Sequence, residues 1–322
     1  MKIYFGKHEL TASLKNNLIL AVLALSIPAW GYSSPAGFAF LKLGVGAASQ
    51  AMGGAYMAQV EDAGAVNSNP SALTRLSHKE LFFYHNQFSF DSQYDYAAYA
   101  HPLKSGLYSF GLSVGHLSKG SFEGRDQNKN KTGSFTASDS QVSLALGRKM
   151  GESVSLGAGV KVINSRIDSF SSVGMALDLS GSYSLSPKAM LAGGVFHLGP
   201  DMTYIDKPVS LPRMIQAGLS YRVFEFLTLE ADARYGLVDP KFGISLGSEF
   251  RLAKMASFRL GYSSRRQADL SAANDKSGLN ALGGISMGVG LQLFSRMNLD
   301  YAFVPMGELG SNHHMSLSWR FQ

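Results

Sequence analysis

From residue 79 onward, apolar and polar positions alternate with period two. Ile215, Ala217, Leu219, Tyr221 and Val223 interleave with Gln216, Gly218, Ser220 and Arg222. Leu227, Leu229, Ala231, Ala233 and Tyr235 interleave with Thr228, Glu230, Asp232 and Arg234, and Ile285 to Leu293 repeats the pattern against Ser286, Gly288, Gly290 and Gln292. Extended strands point successive side chains to opposite faces, so each segment carries one greasy face and one small, polar or charged face. The last segment places His313, Met315, Leu317, Trp319 and Phe321 opposite His314, Ser316, Ser318 and Arg320. A strand with lipid outside and a polar interior needs that split, with aromatics where the apolar band meets water. Taken alone, this strand fits the edge of a soluble sandwich equally well, and the rest of the train decides.

About 14 strands are predicted, near 79–88, 93–101, 107–117, 140–149, 153–165, 172–185, 188–197, 213–223, 226–235, 241–252, 256–264, 281–294, 297–304 and 312–321. The face of 188–197 is open, because Leu191 to Val195 fits either register. Short connections fall at 102–106, 150–152, 186–188, 224–225, 253–255 and 295–296. Longer ones fall at 117–139, 166–171, 199–212, 236–240, 265–280 and 304–311, with 88–92 as the short exception. Short turns on one side and long loops on the other mark an outer-membrane barrel with its chain ends on the periplasmic side. The fold class is therefore all-β: a transmembrane antiparallel β-barrel of about 14 strands in the outer membrane of a diderm bacterium. Met315, Leu317, Trp319 and Phe321 would form its assembly signal.

Residues 32–78 break the alternation. They are rich in small residues, with Met52-Gly53-Gly54-Ala55-Tyr56, then Glu61-Asp62, then Asn69-Pro70-Ser71-Ala72-Leu73. A short helix is predicted at 47–58, with Asn-Pro as a turn. So few residues bury too little surface to fold alone. The physical solution is an N-terminal plug segment packed in the lumen, where inward Gly and Ser leave room. The division is then 1–31 signal peptide, 32–78 plug and 79–322 barrel. Lys2, Lys7 and Lys15 precede an apolar run at 18–27, which is shorter than the ~20 residues a bilayer requires. Cleavage is expected after Gly31, with an uncleaved anchor as the competing reading.

Composition narrows the function classes. Cys is absent, which excludes a disulfide framework and a lipoprotein anchor. The net charge of +6 falls to about +4 without Lys2, Lys7, Lys15 and Glu9, and the basic residues are scattered. No nucleic-acid partner is expected. Eight charges are predicted to face the lumen: Glu230, Asp232, Arg234, Glu249, Arg251, Arg259, Asp300 and Arg320. They read either as a polar track with plug contacts or as mutual neutralisation of a filled interior. Glu230 and Asp232 lie about 7 Å apart on one face by strand rise, yet Arg234 follows at the same spacing and reads as charge balance. His197 lies near a rim without a Ser-His-acid arrangement. His313 and His314 point to opposite faces, a poor metal pair. Gly157-Ala-Gly159 lies in a strand with no helix after it, so it is no phosphate loop. Neither an enzyme nor a cofactor is expected. The plug motif Met52, Gly53, Gly54, Ala55, Tyr56, Asp62, Asn69 and Pro70 reads equally as a gate or as backbone packing where only Gly fits.

The stretch Phe40-Leu-Lys-Leu-Gly-Val-Gly46, running into Ala51-Met-Gly-Gly-Ala-Tyr56, Asp62 and Asn69-Pro70-Ser71-Ala72-Leu73, resembles the amino-terminal signature of the PorV/PorQ family. Tyr301-Ala-Phe-Val-Pro-Met-Gly-Glu-Leu-Gly310, with His313 and Ser316-Leu317, is similar to that family's final hairpin. Two positions depart from the pattern: Ala48 stands where the family has Arg, and Ser71-Ala72-Leu73 replaces Ala-Gly-Leu. These barrels are similar to the long-chain fatty-acid transporter FadL. The resemblance implies a component of type IX secretion, delivering exported cargo with secretion-system proteins as partners. The alternative it implies is a FadL-like channel for long-chain fatty acids or other hydrophobic small molecules. Under either reading the partners include outer-membrane lipid and the barrel assembly machinery.

Overall fold

A computed structural model describes residues 37–88, 91–204, 206–253, 255–272, 283–306 and 310–321. The described residues belong to one compact unit. The predicted signal peptide, 1–31, lies outside the described residues.

The alternating segments become strands β1 (Lys79–Gln87), β2 (Gln93–Pro102), β3 (Tyr108–Arg125), β4 (Lys131–Lys149), β5 (Val154–Ile167), β6 (Phe170–Ser186) and β7 (Ala189–Leu198). Two short strands follow, β8 (Met202–Tyr204) and β9 (Lys207–Val209), paired only with each other. Then come β10 (Met214–Phe224), β11 (Leu227–Gly236), β12 (Phe242–Ala253), β13 (Ala256–Ser263), β14 (Ile285–Leu293), β15 (Met297–Pro305) and β16 (Ser311–Phe321). Fourteen strands close into one antiparallel barrel in chain order, β1 pairing with β16 and β7 with β10. Closure leaves the wall no open edge, as a lipid-exposed sheet requires. The wall's outer face is the predicted apolar one: Leu144, Val173, Met175 and Leu246 point outward and are 59 %, 67 %, 54 % and 49 % exposed. The inward partners of these positions, such as Ser143, Asp178 and Ser180, are buried. This is a transmembrane barrel of the outer-membrane kind.

Register decides three points that periodicity leaves open or misplaces. The expected loop at 117–139 is mostly strand, because β3 and β4 pair as far as Arg125 with Lys131 and turn over at 126–130. The expected loop at 166–171 shrinks to the two residues between Ile167 and Phe170, which themselves pair. Both stretches have a polar outward face and only scattered apolar residues inward, so backbone pairing rather than alternation carries them. In β7, Leu191, Gly193 and Val195 pair with outward Leu219, Ala217 and Ile215, which fixes its register. A register shift between Leu177 and Leu179 lets Phe196 and His197 both turn inward, His197 at φ 59°. His197 donates its backbone N–H to Asp178 Oδ1 at 2.8 Å, while Lys161 Nζ sits 2.7 Å from Asp178 Oδ2. It is a buried wall residue, not the rim residue expected.

The helix predicted at 47–58 is also shorter. Helix α1 covers only Ala47–Ala51, and turns follow through Gly53 and Gly54 at φ 69° and 86°. Positive φ favours Gly and ends the helix there. Helix α2 (Ala65–Ser68) leads into a 3-10 helix, Pro70–Arg75, with Pro at its first position, where no N–H is needed. Helix α3 (Ser264–Ala272) stands at the long-loop end between β13 and β14.

Candidate functional site

The N-terminal segment lies against the inward-facing side chains of the wall, and wall carboxylates and hydroxyls take up its backbone groups. Asp232 Oδ2 accepts the N–H of Tyr56 at 3.2 Å and of Met57 at 3.1 Å, and Gln216 Nε2 at 2.9 Å. Glu230 Oε1 accepts the N–H of Ala58 at 2.6 Å and of Gln59 at 3.3 Å. Glu80 Oε1 accepts the Ala63 N–H at 2.8 Å, and Ser316 Oγ that of Ala47 at 3.2 Å. Turn amides that no helix can satisfy are thereby satisfied. The pair Glu230 and Asp232 is thus engaged by backbone amides, with Arg234 acting on Asp232 through its charge and not through a direct contact. The carboxylates turn to the segment, and Arg234 makes no ion pair among the described residues.

The Asn-Pro motif is a second anchor. Asn69 Nδ2 donates to Met57 O at 2.9 Å and to Ser182 Oγ at 3.3 Å. Ser71 N–H donates to Ser180 Oγ at 3.0 Å, and the Ser71 and Ser182 hydroxyls meet at 2.6 Å. Arg75 reaches back to the carbonyls of Ala58 and Val60. At Gly53 and Gly261 backbone meets backbone: a Cβ on Gly261 would overlap Met52 and Gly53, and one on Gly53 would overlap Tyr262. Met52 and Ala55 are fully buried beside this contact.

At the short-turn end the remaining predicted charges form one network and one separate pair. Arg259 holds Glu249 at 2.8 Å and Asp300 at 2.6 Å, and Arg251 holds the other oxygen of Glu249 at 3.1 Å. Arg320 holds Glu80 at 2.9 Å. Arg251 also lies 4.0 Å from Glu61, a segment-to-wall ion pair that does not need Arg at position 48. All of these but Glu80, together with Asp62, border a cavity of about 810 Å³. Asp62 accepts the Gly64 N–H at 2.8 Å. Burial, reinforced by the negative charge of Glu80, pushes its carboxyl up to about 7. A second cavity of about 360 Å³ opens on the long-loop side of the segment and shares no lining residue with the first.

Several residues were not singled out by sequence reasoning. Glu80, Ser180 and Ser182 alternate inward like any polar strand residue, and only the segment's position marks them. Phe122, Phe135, Ile167 and Phe170 fall in the expected loops. Strand pairing sets Phe122 against Phe135 and Ile167 against both Ala137 and Phe170, all on the inward side of the projecting strands. The Phe122 and Phe135 rings stack at 5.4 Å and 25°, and Phe122, Ile167 and Phe170 are 43 %, 41 % and 50 % exposed. Beneath them lie Leu117, Ile163, Met202 and Phe40, buried in one apolar cluster. The aromatics of β1 and β2, Phe82, Tyr84, Tyr94 and Tyr96, belong to that cluster and pack against the segment. On β16, Met315 and Trp319 face outward at 52 % and 46 % exposure, and Phe321 stacks on Tyr99 at 6.2 Å.

No family model and no curated protein matches the chain in sequence. Solved structures do match in shape. The Ralstonia pickettii toluene transporter TbuX superposes with a TM-score of 0.59 at 13 % identity, covering 87 % of this chain and 99 % of that one. The Pseudomonas putida toluene transporter TodX gives 0.59 at 14 %, covering 85 % and 96 %. A Pseudomonas aeruginosa FadL homologue gives 0.59 at 11 %, covering 91 % and 100 %. At these identities the likeness is one of fold alone: the chain shares its barrel fold with these structures.

Proposed function

We propose that this chain is an outer-membrane channel that admits apolar small molecules from the outside, with residues 32–78 as the plug that gates it. The observation that carries the reading is the inward apolar patch at the long-loop mouth, Phe122, Phe135, Ile167 and Phe170, leading down to the buried cluster around Leu117 and Ile163. Exposed aromatics gathered on a concave inner face are ready to capture an apolar solute. The fold shared with proteins described as toluene transporters and as a FadL homologue supports the same reading. The type IX export reading rests on the two sequence blocks that resemble PorV/PorQ, and neither the fold likeness nor the mouth adds to it. Both readings are non-enzymatic.

Deleting the gene separates the two. The channel reading expects slowed uptake of labelled toluene or long-chain fatty acid with an unchanged surface proteome. Retained uptake with lost surface proteins restores the export reading. Within the channel reading, Phe122→Ser with Phe170→Ser should slow uptake several-fold while the barrel still inserts.

A further inference from the structure

The outer, lipid-facing side of the wall carries a hollow of about 600 Å³, lined from β15, β16, β1, β2, β3 and β4. Register lays its apolar lining out as one row: Leu299, Leu317, Phe83, Ala97, Val114 and Val142 stand opposite one another in turn. Ala97 is the small side chain of that row, so the row dips at β2. Two residues toward the long-loop end the outward face turns polar. His85, Asp95, His116 and Ser140 form the next row, again opposite in turn, and all four line the hollow. His85 Nδ1 lies 2.7 Å from Asp95 Oδ1, and His116 Nδ1 lies 2.9 Å from Ser140 Oγ. The row beyond is Gln87, Gln93, Ser118 and Ser138, followed on β5 by Arg166, whose Nε donates to Asp168 O at 2.8 Å. An outward His–Asp pair is costly in hydrocarbon, so the hydrocarbon ends between the first row and the second. The hollow therefore runs from the acyl layer of the outer leaflet into its headgroup layer. A gap in its apolar part would forfeit dispersion contacts, and an acyl chain has the shape to fill it.

We propose that this hollow is a fixed seat for one outer-leaflet lipid whose head is a saccharide. An acyl chain lies over Ala97, and the sugar hydroxyls meet the two polar rows. The imidazole, amide and hydroxyl groups of those rows both donate and accept, as sugar hydroxyls do. A phospholipid's phosphate calls for cations instead, and the fixed charges here are Asp95 and, at the far end, Arg166. The seat is on the outside of the barrel, apart from the lumen and the N-terminal segment, so it does not rest on the channel reading.

The test is native mass spectrometry of the full chain in a neutral detergent, after incubation with equal amounts of rough lipopolysaccharide and phosphatidylethanolamine. One lipopolysaccharide per chain should be retained, about tenfold in preference to phosphatidylethanolamine. Ala97→Trp fills the hollow with an apolar ring and should cut that retention about tenfold while heat-modifiable migration of the barrel stays unchanged. Leu246→Trp, elsewhere on the lipid face, should leave it unaltered. Gln93→Leu with His116→Leu should keep an acyl chain seated and bring the two lipids within about twofold of each other. Equal retention of both lipids by the unaltered chain overturns the saccharide assignment, and so does a preference that survives the Gln93 and His116 substitutions. Retention that survives Ala97→Trp, or falls equally with Leu246→Trp, overturns the seat. Retention of neither lipid, or of a second copy of the chain in their place, overturns it as well.

Discussion

At the scale of single residues, two carboxylates hold the segment by its backbone. Asp232 and Glu230 each accept two N–H groups from residues 56–59. Hydrogen bonds to charged acceptors contribute about 1.5–3 kcal/mol each. Asp232→Ala should therefore raise amide exchange at 56 and 57 by one to two orders of magnitude and leave exchange in the barrel strands unchanged. Equal exchange in variant and parent would remove Asp232 from the seat. Asp62 makes the seat pH-dependent. It faces Glu80, Asp300 and Arg320 and the Gly64 N–H, and its carboxyl is raised to about 7 from the ordinary aspartate range. A raised carboxyl favours the seated, protonated form at low pH and loses that contribution as pH climbs through about 7. Protease cleavage in 56–75 should be slower at pH 5 than at pH 8, and Asp62→Asn should flatten the difference. Glu230 and Asp232 were legible as inward charges from alternation alone. Their partners were not, because backbone amides leave no trace in composition.

At the scale of elements, β16 closes the barrel against β1, with Lys79 opposite Phe321 and Gln87 opposite His313. Phe321 lies at the short-turn rim beside Trp319 and Tyr99. An Arg on the lipid face costs ~2–4 kcal/mol at mid-membrane and ~0–1 near an interface. Phe321→Arg should thus lower the inserted fraction through failed assembly rather than through burial energy. Wild-type insertion of that variant, measured by heat-modifiable migration, would mean that β16 carries no assembly signal. The contact between β13 and the segment depends on Gly261, where the segment's backbone leaves no space for a Cβ. Its role was invisible in the sequence, where Gly261 is one of many glycines alternating with Leu260 and Tyr262.

For the whole molecule, the orientation follows from the unequal connections. The tip of β3 and β4, 126–130, lies at the long-loop end, and the turn after Ser186 lies at the short-turn end. The chain has no cysteine, so single replacements report cleanly. Asn128→Cys on intact cells should react with an impermeant maleimide, and Ser186→Cys should stay shielded until the outer membrane is breached. The reverse pattern would invert the barrel.

Alternation by itself determined that the wall is a sheet with lipid on one face, which residues face inward, and how many strands close it. That information is local: with a period of two, each residue's face follows from its neighbours. The same logic failed at 118–138 and 166–171, where the outward face is polar, the inward apolar residues are scattered, and cross-strand pairing makes the strands. Tertiary structure alone decided that Glu230 and Asp232 meet amides rather than Arg234. It alone brought Lys42, Arg234, Arg265 and Arg266, far apart in the chain, around one cavity. The physical reason is closure. A barrel brings the inner faces of distant strands to the same lumen, and what meets there depends on register and on the segment packed between them.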